Sequence, residues 1–339
     1  MLDQYLNEIV KQKMIPGAVV IVQKGSNRLF YNSYGSYVGK DEKNYAITLN
    51  TLFDVASLTK VVATLPAILL LISKKQLKLE DAVSKFIPEF TFADITIQHL
   101  LQHSSGLPAS LYPKVLRYHQ RDIFKEIYSL KLEYKTGSKV LYSDIGMILL
   151  GKIIEIISGK PMNQFVEEQI FQPWQMKRTR FVIPSSRYKE VAATEYVNGQ
   201  YIHGEVHDEK AFLLGGVSGS AGLFSSAEDL AIFAEYWLQI EKQLVLPFEW
   251  MDLSYKETFL NRGLGFEVSK RNEPLISYAG GWPEGSFGHT GFTGTSLWMD
   301  PSKKVFVVLL TNAVHFGRET KMREIRQRVH TIVHEEMTM

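Results

Sequence analysis

Phe53-Asp54-Val55-Ala56-Ser57-Leu58-Thr59-Lys60, running on without a break into the apolar stretch Val61 to Ile72, is the segment on which the fold turns. That stretch is apolar all round, so it reads as a helix buried in a core, and it is well short of the roughly 20 apolar residues needed to cross a bilayer. Residues three apart share one helix face, so Lys60 can aim its amine at the Ser57 hydroxyl. A serine alcohol is a poor nucleophile until a base takes its proton, and a partly desolvated lysine of lowered pKa can be that base. The helix N-terminus at Ser57 also favours negative charge there. An isolated Ser-x-x-Lys is more commonly an N-cap followed by a surface lysine, so the box needs company.

Company comes from two further boxes. Tyr142-Ser143-Asp144 opens another helix after the turn residues TGSK. A tyrosine beside a lysine ammonium can share the general-base task, and Asp144 could hold either Lys60 or a substrate amide. Gly288-His289-Thr290-Gly291-Phe292-Thr293-Gly294 stands immediately before the strand-like run TSLWM. Glycines on an edge strand let a substrate backbone approach, and a free N–H there can face a developing oxyanion.

Around these boxes the chain opens helix, strand, strand: an amphipathic start with Leu2, Tyr5, Leu6, Ile9 and Val10 on one face, then AVVIVQKG and RLFYNSYG. Helical patterns fill the middle, at 57–75, 97–103, 142–158, 162–171 and 227–242. Strand character returns in GLGFEVSK, TSLWMDP and KKVFVVLLTN, followed by a terminal helix over about 318–336. The expected fold is α+β: an antiparallel sheet flanked by terminal helices, with a mainly helical insert domain. The sheet domain is discontinuous, residues 1–60 plus 260–339, and the insert is 61–259. A cleft between the two is the natural ligand site.

Ser-x-x-Lys, Tyr-Ser-Asp and His-Thr-Gly in this order resemble the active-site triplet of the serine penicillin-recognising proteins, the penicillin-binding proteins and class C β-lactamases. PGAVVIV at 16–22, TIQHLLQHSSGLP at 96–108, GEVHDEKAFLLGGVSGSAGLFSSAEDLAIF at 204–233 and LLTNAVH at 309–315 extend the resemblance over nearly the whole chain. It implies Ser57 as nucleophile, Lys60 and Tyr142 as the proton-handling pair, and the N–H groups of Ser57 and Phe292 as the oxyanion hole. It places Asp144, His289, Thr290 and Gly291 on the substrate side. His207, in a VHD segment similar to one in members acting on cell-wall fragments, joins them at the cleft rim. Asp144 stands where many relatives have asparagine, and Ser220 where a histidine is common.

The implied reaction is acyl transfer through an acyl-enzyme on Ser57, without metal or cofactor. The implied substrates are amides or esters such as peptidoglycan-derived peptides or muramyl amides, with β-lactams as covalent ligands. An esterase or β-lactamase of the same fold is the alternative, and a non-catalytic penicillin-binding or assembly protein is the contrasting class.

Other readings fall away. Lys135-Thr136-Gly137 spells the third box of other relatives but sits in a turn ahead of Tyr142. His99 with His103, and His330 with His334, have zinc-like spacing without a third ligand. His207-Asp208 invites a Ser-His-Asp reading, yet no Gly-x-Ser-x-Gly elbow accompanies it. With 38 Lys and Arg against 36 Asp and Glu, scattered along the 339 residues, no nucleic-acid partner is expected. No cysteine is present, which excludes thiol nucleophiles and thiolate metal sites. No membrane span is expected. The start lacks the apolar core of a signal peptide, so the sequence as written is expected in the cytoplasm, and outside it if the N-terminus is trimmed.

Overall fold

In the computed structural model, which describes residues 1–240, 245–270 and 282–337, the first strand already sets the layering. β1 (Gly17–Lys24) buries Val19 and Ile21 in one hydrophobic cluster and Ala18, Val20 and Val22 in another. Successive side chains on a strand point to opposite faces, so a strand apolar at every position must be covered on both sides. β2 (Asn27–Val38) and β3 (Asn44–Ala46) follow, then the short strands β4 (Phe53–Asp54), β5 (Tyr196–Val197), β6 (Gln200–Tyr201) and β7 (Phe224–Ser225). β8 (Glu267–Val268), β9 (Phe287–Thr290), β10 (Ser296–Asp300) and β11 (Val305–Thr311) complete the strands. Seven of these form one sheet in the order β3-β2-β1-β11-β10-β9-β8, antiparallel throughout. β1 and β11 lie side by side, from Ala18 against Thr311 to Lys24 against Val305.

The helices Leu2–Lys11 and Met322–Met337 cover one face of the sheet, packing Leu6, Ile9, Ile325 and Val329 with Val20, Val307 and Leu309. The opposite face carries Val19, Phe306, Val308 and Leu310 into a larger core shared with the helices Leu65–Ser73 and Asp144–Ser158. Each fully buried side chain of this kind stabilises the fold by roughly 1.5–3 kcal/mol. The helix after Ser57 runs as a 3₁₀ turn (Ala56–Leu58), a π turn (Lys60–Thr64) and an α-helix (Leu65–Ser73). By length and composition Ala56–Ser73 could span a membrane, but 89% of it is buried inside the protein, as befits a core helix.

Three boundaries differ from the sequence expectation. GLGFEVSK contributes only Glu267–Val268 to the sheet, because the N–H groups of Leu264 and Gly265 are taken by the carbonyls of Ser254 and Leu101. The helix expected from Tyr142 begins at Asp144, with Ser143 at its N-cap position in extended conformation. The helix expected over 227–242 ends at Trp237, and residues 241–244 lie outside the described residues.

Candidate active site

Ser57 lies in the 3₁₀ turn and Lys60 opens the π turn that follows, so the two side chains sit one turn apart on the same helix and meet. Lys60 Nζ lies 2.8 Å from Ser57 Oγ. The lysine is fully buried, and its ammonium also donates to Ser220 O at 2.7 Å and to Asp144 Oδ1 at 2.9 Å. Three N–H bonds thus find three acceptors, the full complement of an ammonium. Burial pulls the Lys60 pKa down, but the Asp144 carboxylate and Tyr142 pull it up, and the balance lies above the ordinary lysine value. This corrects the expected lowering: sequence reveals that the lysine is buried, but not that a carboxylate meets it.

Of the two roles open to Asp144, the structure places it as lysine partner. Its second oxygen lies 3.2 Å from Lys210 Nζ, and Lys210 lies 3.1 Å from Asp208 Oδ2. Asp208 in turn caps the helix Glu209–Leu213 by accepting the Ala211 N–H at 2.8 Å. Burial raises the Asp144 pKa, but Lys60 and Lys210 bring it down to about 2. Burial likewise lowers the Lys210 pKa, and Asp208 and Asp144 raise it beyond that loss. Ser57, Lys60, Asp144, Lys210 and Asp208 therefore form one chain of contacts with alternating charge. Sequence reasoning missed Lys210, since a lysine in a helical first turn carries no local sign of a partner elsewhere in the fold.

Ser220 reaches Lys60 through its backbone carbonyl, so its side chain does not enter that contact. The loop can come so near because Gly219 lies flat on the helix Asp144–Ser158: a Cβ there would sit 2.1 Å from Met147 O. Thr64 Oγ1 pins the same loop by donating to Gly219 O at 2.7 Å.

The Tyr142 ring is flanked by two cations, Lys60 Nζ at 5.1 Å and Arg262 Cζ at 5.4 Å from its centroid. His103 and His289 pack on it with centroids at 4.6 and 5.8 Å. Both imidazoles are held neutral, their pKa values well below the usual range, by burial first and then by the charges of Arg262 and Lys60. His103 also accepts the Ser143 N–H on Nδ1 at 3.2 Å, so it serves the second box, while His99 completes a capping box with Thr96.

The third box ends β9. A Cβ on Gly291 would lie 2.4 Å from Val55 O, so this glycine admits the loop before Ser57. Thr293 and Thr295 stitch the same approach by donating to Asp54 O at 2.7 Å and Val55 O at 3.1 Å. Phe292 is exposed, and among the described residues no group accepts a hydrogen bond from its N–H.

Asp54 is a second residue that sequence reasoning missed. Its buried carboxylate accepts the Ala56 N–H at 2.8 Å and the His207 N–H at 2.6 Å, tying the serine turn to the VHD segment. The first of these bonds holds Ala56 at φ +47°, a left-handed conformation costing a non-glycine residue about 1–2 kcal/mol. His207 Nε2 lies 2.9 Å from Glu195 Oε2, and its ring stacks on Phe292 at 5.6 Å. The decoy Lys135-Thr136-Gly137 forms a turn in which Thr136 donates to Ser105 O.

Ser57, Tyr142, Asp144, His207, His289, Thr290, Gly291 and Phe292 all line one cleft of about 620 Å³, together with Lys210, Arg262, Arg318 and Arg326. The sequence matches the family model described as Beta-lactamase over residues 2–331. It is 32% identical over 344 residues to an N-acetylmuramyl-L-alanine amidase of Bacillus subtilis (strain 168), covering 88% of this chain and 78% of the relative. The fold is similar to a class C beta-lactamase, with TM-score 0.78 and 19% identity over 99% of this chain and 95% of the other. It is also similar to EstCE1, a hydrolase with promiscuous acyltransferase activity, with TM-score 0.75 and 21% identity over 96% and 97%. The three ordered boxes, the single cleft that gathers them and the match along the chain agree: this protein belongs to the beta-lactamase family of serine hydrolases.

Proposed function

We propose that Ser57 is acylated by amide or ester substrates, with peptidoglycan-derived peptides or muramyl amides as the physiological class, and that Tyr142 is the base that takes its proton. The observation that carries this reading is the saturation of Lys60. An ammonium that donates to Ser57 Oγ, Ser220 O and Asp144 at once holds the serine oxygen by a lone pair and has no place for its proton. Tyr142 lines the same cleft and acts in this reading as a phenolate, whose negative charge the Lys60 and Arg262 cations flanking its ring hold until it takes the serine proton and becomes neutral. As Oγ bonds to the substrate carbonyl carbon, the N–H groups of Ser57 and Phe292 receive the oxygen charge. The tetrahedral species then expels the amine or alcohol, which leaves with the proton Tyr142 had taken, and water later releases the acyl group by the reverse sequence.

The muramyl class is supported by the Bacillus subtilis amidase, whose name gives that linkage. The test is intact mass after exposure to a penicillin, an organophosphonate and a panel of p-nitrophenyl esters and muramyl peptides, followed by peptide mapping. A covalent adduct on Ser57 together with muramyl-peptide turnover is expected. An adduct on another residue overturns the mechanism, and turnover of esters alone overturns the substrate class.

A further inference from the structure

We infer that Arg262 is a positioning residue that acts through Tyr142, supplying the net positive charge against which the Tyr142 oxygen takes and returns the Ser57 proton. This rests on the reading of Tyr142 as base. Arg262 follows the helix Phe248–Lys256 in a turn, its N–H donating to Phe259 O at 3.1 Å. It is 2% exposed, lines the cleft, and brings its guanidinium to 5.4 Å from the Tyr142 centroid. Its Nε and Nη1 are buried without a hydrogen-bond partner, and no carboxylate among the described residues lies within ion-pair distance. A buried charge left in this way is costly, and it is kept where something anionic must be met.

The other charged and titratable groups facing Tyr142 do not fill that need. Lys60, on the nucleophile helix, is balanced by Asp144 at the start of the next helix, and Asp144 is shared with Lys210. His103, beyond the helix Ile97–Leu101, and His289, on β9, are neutral. Glu267, a buried acid of the cleft bridged to Arg262 through the backbone, makes no ion pair with it, so cancelling the lysine against its carboxylate leaves Arg262 as the cation beside the ring. A preoriented cation in a site with little water favours the anionic oxygen that must be present on Tyr142 before it can take the serine proton.

The experiment uses Arg262→Met and Arg262→Lys, each in the wild-type and Tyr142→Phe backgrounds. Acylation is followed with p-nitrophenyl acetate, a neutral ester that offers Arg262 no anion, and near-ultraviolet circular dichroism reports folding. Arg262→Met is expected to lower kcat by about 10-fold with KM unchanged, part of the roughly 10²-fold owed to a general base. It is also expected to move the rising limb of the rate profile to higher pH. Arg262→Lys should restore most of the rate, and in the Tyr142→Phe background Arg262→Met should add no further loss. Equal losses in both backgrounds, or an unchanged ester rate with loss confined to carboxylate-bearing peptides, overturn the inference and make Arg262 a substrate contact. If Arg262→Met fails to fold, the same comparison is read from Arg262→Lys and Arg262→Gln, where an unchanged pH profile in both overturns it. A wild-type rate in Tyr142→Phe alone would instead remove the base reading beneath it.

Discussion

The two walls of the cleft carry positive charge in opposite ways. On the wall that holds the nucleophile, every ammonium meets a carboxylate: Lys60 with Asp144, and Lys210 with both Asp144 and Asp208. On the wall beside the third box, Arg262 is buried and forms no ion pair among the described residues, and the partly buried Arg326 donates to the Gly291 and Thr295 carbonyls at 2.6 and 3.0 Å. The first wall therefore has geometry to give and little net field. The second has field left over. In the mechanism proposed above, Lys60 holds the serine oxygen and the guanidinium charge opposite meets the anionic oxygen of Tyr142.

The comparison breaks outright if the paired wall does not carry the nucleophile. Ser57→Ala is expected to abolish turnover of p-nitrophenyl acetate, a loss on the order of 10⁴-fold or more when a nucleophile is removed. Residual turnover near the wild-type rate would move the chemistry elsewhere in the cleft.

Lys60→Ala and Tyr142→Phe come next, each expected to slow acylation by roughly 10²-fold, a usual size for losing a proton-handling group. Single-turnover rates with an activated ester check this. If Tyr142→Phe proves silent while Lys60→Ala does not, the lysine is the base after all and the saturated ammonium of the resting site is misleading.

Asp144→Asn sharpens the contrast, because it removes the anion from between two buried cations. The fully buried Lys60 then lacks its counter-ion, and urea denaturation should show a loss of about 3 kcal/mol. The same carboxylate sets a pH dependence. Burial raises the Asp144 pKa, but Lys60 and Lys210 bring it down to about 2, below the unfolded value. Stability from this group is therefore fully present above about pH 4 and is lost as the pH falls toward 2. Thermal unfolding across that window should fall more steeply in the wild type than in Asp144→Asn.

Nitrocefin is expected to turn over more slowly than p-nitrophenyl acetate, since Asp144 is engaged by two lysines, Asp208 by Lys210 and Glu209 by Arg318, which leaves these acids poorly placed to position water on a bulky penicilloyl group. Steady-state rates on the two substrates, with acyl-enzyme lifetime by mass, decide it. Lys135→Ala sits at the bottom of the scale. Its side chain is exposed in a turn, so both activity and stability should stay within about 0.5 kcal/mol of wild type.

What the sequence disclosed and what it withheld divide by the reach of each contact along the chain. Ser57 and Lys60 were legible because a single helical turn joins them, and the sheet because β1, β10 and β11 are apolar runs bounded by turns. Asp54, Lys210 and Arg262 were not, because each acts across the fold on a partner that local periodicity does not touch. The protonation of Lys60 was misread for the same reason: its burial follows from the apolar run around it, whereas the Asp144 that overrides burial arrives from another helix.

One bond bears on how such a protein comes off the ribosome. The Thr311 hydroxyl donates to Gly17 O across 294 positions of chain, and β1 waits for β11 along its whole length. During synthesis the serine, its lysine and the helical middle emerge long before the strand that carries His289 and the N–H of Phe292. A nascent chain halted before that strand holds Ser57 without the third box beside it and an apolar β1 unpaired along one edge. Such long-range pairing folds slowly and leaves a sticky edge exposed meanwhile. The cleft is therefore completed late and all at once, with the arrival of the last strands, and holding chaperones would find their target in β1.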